Sequence, residues 1–140
     1  RHAEQVRDGS RDPPLSDAGQ ARAERLRALF ARGGREFGLD GIIVSELRRS
    51  QDTAQPLAEA LGVPVVVIEA GDPAEAARRA VRDFHGGRVL VVGHSNTVPA
   101  IVEALSGQDV PDMDEGDFST LYVVARPRYS PASVSVLHLP

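Results

Sequence analysis

Short apolar runs alternate along this chain with longer segments whose apolar residues recur every three or four positions. The runs are GIIVS (41–45), VPVVVIE (63–69) and RVLVVGH (88–94). None alternates apolar with polar, so each predicts a strand covered on both faces. Ahead of the first run, LSDAGQARAERLRALFARGG predicts a helix. Ser16 is its N-cap and Leu15 its staple; Ala23, Leu26, Leu29 and Phe30 form its inner face, and Gly33-Gly34 terminate it. SELRRSQDTAQPLAEALG predicts a helix reaching Leu61 and stopping at Gly62, with Pro56 implying a kink or a late start. Asp72-Pro73 pairs an N-cap with proline at the first helical position, opening a helix to about Phe84. SNTVPAIVEALSG predicts the last helix, capped by Ser95 or Asn96 and closed by Gly107.

The two ends of the chain read differently. RHAEQVRDGSRDPP (1–14) is polar and rich in turn formers, which predicts a loop. After the acidic loop QDVPDMDEGD, STLYVVARP and ASVSVLHLP alternate more clearly, as strands paired at the end of the sheet would. With no repeat and no linker, residues 1–140 are expected to form one domain. Strands alternating with helices predict a three-layer α/β/α sandwich around a mainly parallel sheet. Active residues of such sheets collect beyond the C-terminal ends of strands. Two segments fall there: Ser45-Glu46-Leu47-Arg48-Arg49 after the first run and Gly93-His94-Ser95-Asn96 after the third. At both, free backbone N–H groups and the helix dipole favour an anion.

Composition changes the picture through what is missing. All 16 positive charges are arginine and there is no cysteine. Schiff-base chemistry, a P-loop lysine, a thiolate nucleophile and a Cys-based metal site are therefore excluded. An anion site must instead use guanidinium groups, which grip phosphate with two parallel hydrogen bonds. A net charge of −4 and 4% aromatic residues argue against nucleic acid or an anionic membrane as partner. No apolar run approaches a membrane span and no signal-peptide pattern opens the chain, so the compartment stays open, with the cytoplasm preferred. Two histidines with arginines suit phosphoryl transfer. A neutral imidazole is an adequate nucleophile, and several positive donors hold the phosphate and its spreading charge.

Three blocks, in order and spacing, carry a family resemblance. RHAE resembles the RHG-type opening of the histidine phosphatase superfamily, the phosphoglycerate mutase-like proteins. SELRRSQDTA resembles its second block, and VLVVGHSNTVP its second-histidine block. With their connecting elements the blocks cover nearly the whole chain. The resemblance implies that His2 is the nucleophile that becomes phosphorylated. Arg1 and Arg49 would clamp the phosphoryl oxygens, and His94 would donate from the opposite side. Ser95 could reach phosphate through its backbone N–H. Arg49 rather than Arg48 matches the family arginine, sitting two residues after Leu47 and four before Thr53. The small phosphohistidine-phosphatase-like branch is indicated by Ala3, where the wider family has glycine. Glu46, Ser50 and Asp52 also depart from the second block. The strand that precedes this opening in the family does not occur in the sequence, so a truncated or trimmed chain is expected.

The general acid is expected to be Glu69, at the end of VVVIE, with Asp72 the competitor already used as a cap; good leaving groups need no dedicated acid. The expected activity is a metal-independent phosphatase without cofactor, acting on a phosphorylated small molecule or a phosphoprotein. Two alternatives stand beside it. One is a metal-dependent hydrolase using His2, His94 and the cluster Asp112, Asp114, Glu115, Asp117, although that cluster lacks the ligand order of a calcium loop and reads better as a solvated loop at the pocket mouth. The other is an inactive module that binds a phosphate ligand. Glu4 reads as a surface carboxylate, with orientation of an active-site group the alternative, His85 as a surface residue beside a helix end, and His138 as structural.

Overall fold

A computed structural model describes residues 1–32 and 38–140. Its elements run α1 (Asp17–Ala31), β1 (Gly41–Ser45), α2 (Arg48–Leu61), β2 (Val65–Ile68), α3 (Pro73–Asp83), β3 (Val89–Val92), α4 (Val98–Ser106), β4 (Thr120–Ala125) and β5 (Ser133–His138). Local chemistry explains most boundaries. The Ser16 hydroxyl accepts from Gly19 N–H and the Asp72 carboxylate accepts from Glu75 N–H, which satisfies donors that a helix start leaves free. Gly62 and Gly107 end α2 and α4 in the left-handed region, at φ 64° and 71°. The expected terminator Gly33-Gly34 lies outside the described residues. Helix α2 runs unbroken through Pro56 and begins at Arg48.

The three central strands form a parallel sheet in the order β2-β1-β3, with Ile43 opposite Val66 on one side and Val91 on the other. All five residues of β1 are buried, as expected for the middle strand. Ile42, Val44, Leu90 and Val92 pack with Ala54 and Leu57 of α2, and Leu26 and Phe30 of α1 close that side. Helices α3 and α4 pack on each other and cover the opposite face, where Ala76 and Ile101 meet Ile43 and Val91. These are the three α/β/α layers.

Three sequence expectations need correction. VPVVVIE is not covered on both faces: Val65 and Val67 of β2 are 44% and 51% exposed. Strand β2 is the sheet edge, and these two valines lie on the α1/α2 side in register with Ile42 and Val44, past where the helices cover β1 and β3. Leu29 is 52% exposed rather than part of the inner face of α1. Strands β4 and β5 pair with each other, antiparallel, but as a separate two-stranded sheet packed on α4 rather than as an extension of the parallel one. Among the described residues no helix is long and apolar enough to cross a membrane.

Candidate active site

The RHAE segment is held by backbone bonds to three different elements. His2 N–H donates to Gly93 carbonyl at 2.9 Å, beyond the end of β3. Ala3 N–H donates to Thr53 Oγ1 at 2.9 Å, while that hydroxyl donates to the Arg49 carbonyl at 2.7 Å. Glu4 carbonyl accepts from Ser16 N–H at 2.9 Å, and its carboxylate is paired with Arg22 through three short contacts, the shortest 2.7 Å. The surface reading of Glu4 is thus corrected. It is half-buried, and its ion pair, which holds its carboxyl below the usual range, fastens the segment to α1.

These anchors bring His2 beside His94 and Arg49. The imidazole centroids of His2 and His94 are 5.2 Å apart, and both residues are buried. His2 Nδ1 lies 2.7 Å from the Ala3 carbonyl, which can only accept, so Nδ1 carries the proton. That leaves a lone pair on Nε2, which accepts from Arg49 Nε at 3.2 Å. Arg48 points elsewhere. Its side chain is 59% exposed and pairs with Asp52, while that of Arg49 is 17% exposed. Burial, and then the positive charge of Arg1, His94 and Arg49, outweighs the Ala3 hydrogen bond and pushes the His2 pKa down to about 3. His94 is pushed down to about 4 by burial and then by Arg49, with the Glu46 carboxylate opposing. Both rings are neutral near pH 7.

His94 follows β3 at the start of the turn into α4. Its Nε2 is 2.9 Å from Ser45 Oγ at the end of β1. Its backbone N–H donates to Thr97 Oγ1 at 3.0 Å. Thr97, not Ser95 or Asn96, is the N-cap residue of α4, without a side-chain cap bond. Arg1, His2, Arg49, His94 and Ser95 all line one cleft of about 670 Å³, together with Arg7 and Phe118. Arg1 Nε and His94 Nδ1 are buried polar atoms with no hydrogen-bond partner among the described residues. In a cleft rich in guanidinium groups, the Arg1 N–H matches an oxygen of a phosphoryl group, and His94 Nδ1 does so in the tautomer in which the Ser45 hydroxyl donates to Nε2.

Glu69 falls outside this cleft. It is exposed at the end of β2 and borders a separate crevice of about 10 Å³ with Ser45, Asp72 and His94, whereas the next two residues, Ala70 and Gly71, line the cleft itself. Asp72 is occupied as the α3 cap. In the acidic stretch, Glu115 reaches the cleft wall, and among the described residues no group of three or more histidine, aspartate or glutamate side chains could hold a metal ion. His85 and His138 are exposed and do not line this cleft.

Several contributors are not apparent from sequence alone. Ser50, buried, donates to the Val92 carbonyl at 2.7 Å and accepts from Ser45 N–H, joining the ends of β1 and β3 under the site. Glu46 accepts from Ala70 N–H at 2.6 Å and fixes the loop that forms the cleft wall. Thr53 and Phe118 belong with them. The only prior signal for Glu46 and Ser50 was their departure from the family block.

Residues 1–70, half of the chain, match the histidine phosphatase superfamily (branch 1). A candidate phosphohistidine phosphatase SixA from Agrobacterium tumefaciens is similar in structure, with 30% identity over 77% of this chain and 74% of that one, at a TM-score of 0.59. The protein histidine phosphatase SixA complexed with tungstate shares the fold at TM-score 0.74, with 22% identity over 99% of this chain and 93% of its own. A mycobacterial glucosyl-3-phosphoglycerate phosphatase complexed with VO3 does so at TM-score 0.64, with 21% identity over 100% and 97% of the two chains. No curated protein matches the chain.

Proposed function

The chain belongs to the histidine phosphatase superfamily, and from that premise we propose that it hydrolyses a phosphate monoester or phosphoramidate through a phosphohistidine on His2, without a metal. The observation that carries this reading is the pairing of His2 Nε2 with Arg49 Nε at 3.2 Å while Nδ1 is held by the Ala3 carbonyl. It presents a neutral nucleophile with its lone pair directed at a phosphate-binding cation.

In the first step the Nε2 lone pair forms a bond to phosphorus as the bond to the leaving atom breaks. Nδ1 keeps its proton and its bond to Ala3, so the phosphorylated ring carries a positive charge next to the anionic phosphoryl group. Arg1 and Arg49 neutralise the equatorial oxygens, while neutral His94 and the Ser95 backbone N–H add uncharged donors. The leaving atom takes its proton from a carboxyl group, for which Glu69, outside the cleft but adjoining its wall residues Ala70 and Gly71, is the proposed residue, or from water where it is basic enough. Water then attacks phosphorus, the N–P bond breaks, and phosphate leaves with Nε2 again unprotonated.

Substrates of two kinds fit an open cleft of this size: a small phosphate ester and a phosphorylated side chain of a protein. Of the similar SixA structures, one is a candidate phosphohistidine phosphatase and the other a protein histidine phosphatase, which favours the phosphoprotein. Incubation with a 32P-labelled phosphate ester, with and without chelator, tests the reading. Expected are acid-labile, base-stable labelling of the wild type, no labelling of His2→Ala, and no effect of chelator. Labelled His2→Ala removes the nucleophile assignment. Loss of activity with chelator favours the metal-dependent hydrolase, and binding without turnover favours the ligand module. Glu69→Gln should slow poor leaving groups far more than p-nitrophenolate; equal slowing would reassign the acid.

A further inference from the structure

Arg1 is gripped from one side by a single short loop. Its Nη1 donates to the Glu115 carbonyl at 2.7 Å and, more weakly, to that of Asp114 at 3.4 Å. Its guanidinium carbon sits 4.2 Å from the centroid of the Phe118 ring. The same ring stands edge-on to His2, with centroids 6.2 Å apart. Nε of Arg1, meanwhile, is buried without a partner among the described residues.

The loop making these contacts is itself tied down. Asp114 accepts from Gly116 N–H at 2.6 Å through its side chain and from Asp117 N–H at 3.0 Å through its carbonyl. Asp117 in turn accepts from Ser119 N–H at 2.9 Å and Thr120 N–H at 3.1 Å, anchoring Phe118 to the start of β4. The acidic stretch is therefore not simply a solvated loop. Its side chains fold the loop on itself, and two of its carbonyls and the Phe118 ring meet Arg1.

We propose that the segment Asp114–Phe118 is a clasp that fixes Arg1 as one arm of the anion site, with Phe118 as the positioning residue. An arginine with several rotatable bonds loses much freedom when it is held for a phosphoryl group. The clasp removes that freedom beforehand. Two carbonyls hold Nη1 and the ring face sets the guanidinium plane. As a positioning role in turnover the inference rests on the phosphatase reading; as a role in anion binding it stands alone.

Inorganic phosphate binding by calorimetry and p-nitrophenyl phosphate turnover test it separately. Phe118→Leu keeps an apolar side chain of similar bulk but has no aromatic face; it should weaken phosphate binding and kcat/KM each by about tenfold. Phe118→Tyr should recover most of that loss. In an Arg1→Ala background, most of the Phe118→Leu cost should disappear, because its main part acts through Arg1; only the edge contact with His2 is left. Where leucine unsettles the fold, fluorinated phenylalanines at position 118 keep the shape while draining the ring face; phosphate binding should weaken in step with the number of fluorines. A flat fluorine series overturns the clasp, as does an undiminished Phe118→Leu effect without Arg1. If binding follows position 118 but no phosphate ester is turned over, the clasp stands and the phosphatase reading falls.

Discussion

Arg49 Nε and His2 Nε2 meet at 3.2 Å, although 47 residues separate them. The contact joins the first block of the sequence to the second, and it relies on Thr53, one helical turn beyond Arg49. Thr53 Oγ1 takes the Ala3 N–H while donating to the Arg49 carbonyl, so one hydroxyl sets the spacing between nucleophile and cation.

This geometry separates two adjacent arginines. Removing a charged donor that meets developing negative charge commonly lowers turnover by about a hundred- to a thousandfold, and Arg49→Ala should do so. Arg48 is exposed and paired within α2, and Arg48→Ala should stay within about threefold of the wild type. Steady-state kinetics on p-nitrophenyl phosphate decides. Equal losses from the two variants would undo the assignment.

How far these features can be read from sequence depends on the range of the interaction behind them. Ser16, Asp72-Pro73, Gly62 and Gly107 mark element ends because a cap acts on backbone groups within a few residues. The α/β/α layering follows from apolar runs alternating with helical periodicity. Val65, Val67 and Leu29 were misjudged because burial depends on how far the neighbouring layer extends, which residue type does not encode. The blocks holding Arg1, His2, Arg49 and His94 were recognisable as motifs. Their supports were not: Ser50 bonding to Val92, Thr53 to Ala3 and Phe118 to Arg1 are partnerships across 42, 50 and more than a hundred residues.

The two buried imidazoles make stability depend on acidity in a definite direction. Folding lowers both pKa values from 6.5, to about 3 for His2 and about 4 for His94, chiefly by burial. Between the folded and unfolded values the unfolded chain binds more protons, so stability rises with pH there. The melting temperature should hold steady above about pH 7 and fall progressively from about pH 6.5 towards pH 4. NMR titration should find both rings neutral at pH 6. A His2 or His94 ring titrating near 6.5 would contradict the burial account.

Helix α2 starts without a cap of its own. Leu47 supplies no side-chain bond, and the Arg48 N–H is instead taken by Asp12, from the opening loop, at 2.8 Å. The same carboxylate oxygen lies 4.0 Å from Arg49 Nη1. Asp12→Ala should cost about 1 kcal/mol in urea denaturation. Asp12→Asn retains the acceptor and should keep most of that stability, while losing the charge that steadies Arg49 and with it part of kcat/KM. Identical stabilities for the two variants would show that the cap contributes nothing.

Gly19, in the first turn of α1, offers the sharpest test of how RHAE is held. Replacing an exposed helical glycine by alanine ordinarily gains about 1 kcal/mol. Here a Cβ would fall 2.0 Å from the Glu4 carbonyl oxygen, the acceptor for Ser16 N–H. Either α1 or the segment carrying His2 must then move, and neither is free. Glu4 is paired with Arg22, and Ala3 and Leu15 are buried together with Ala23. Gly19→Ala should therefore lose about 2–3 kcal/mol, the usual cost of overpacking, and turnover should fall with it because His2 lies only two residues from the displaced carbonyl. Ala18→Gly, one position earlier on an exposed site, serves as the control and should lose only the ordinary propensity difference with turnover intact. A Gly19→Ala protein as stable and active as the wild type would mean that the close approach of α1 to Glu4 does not hold the nucleophile in position.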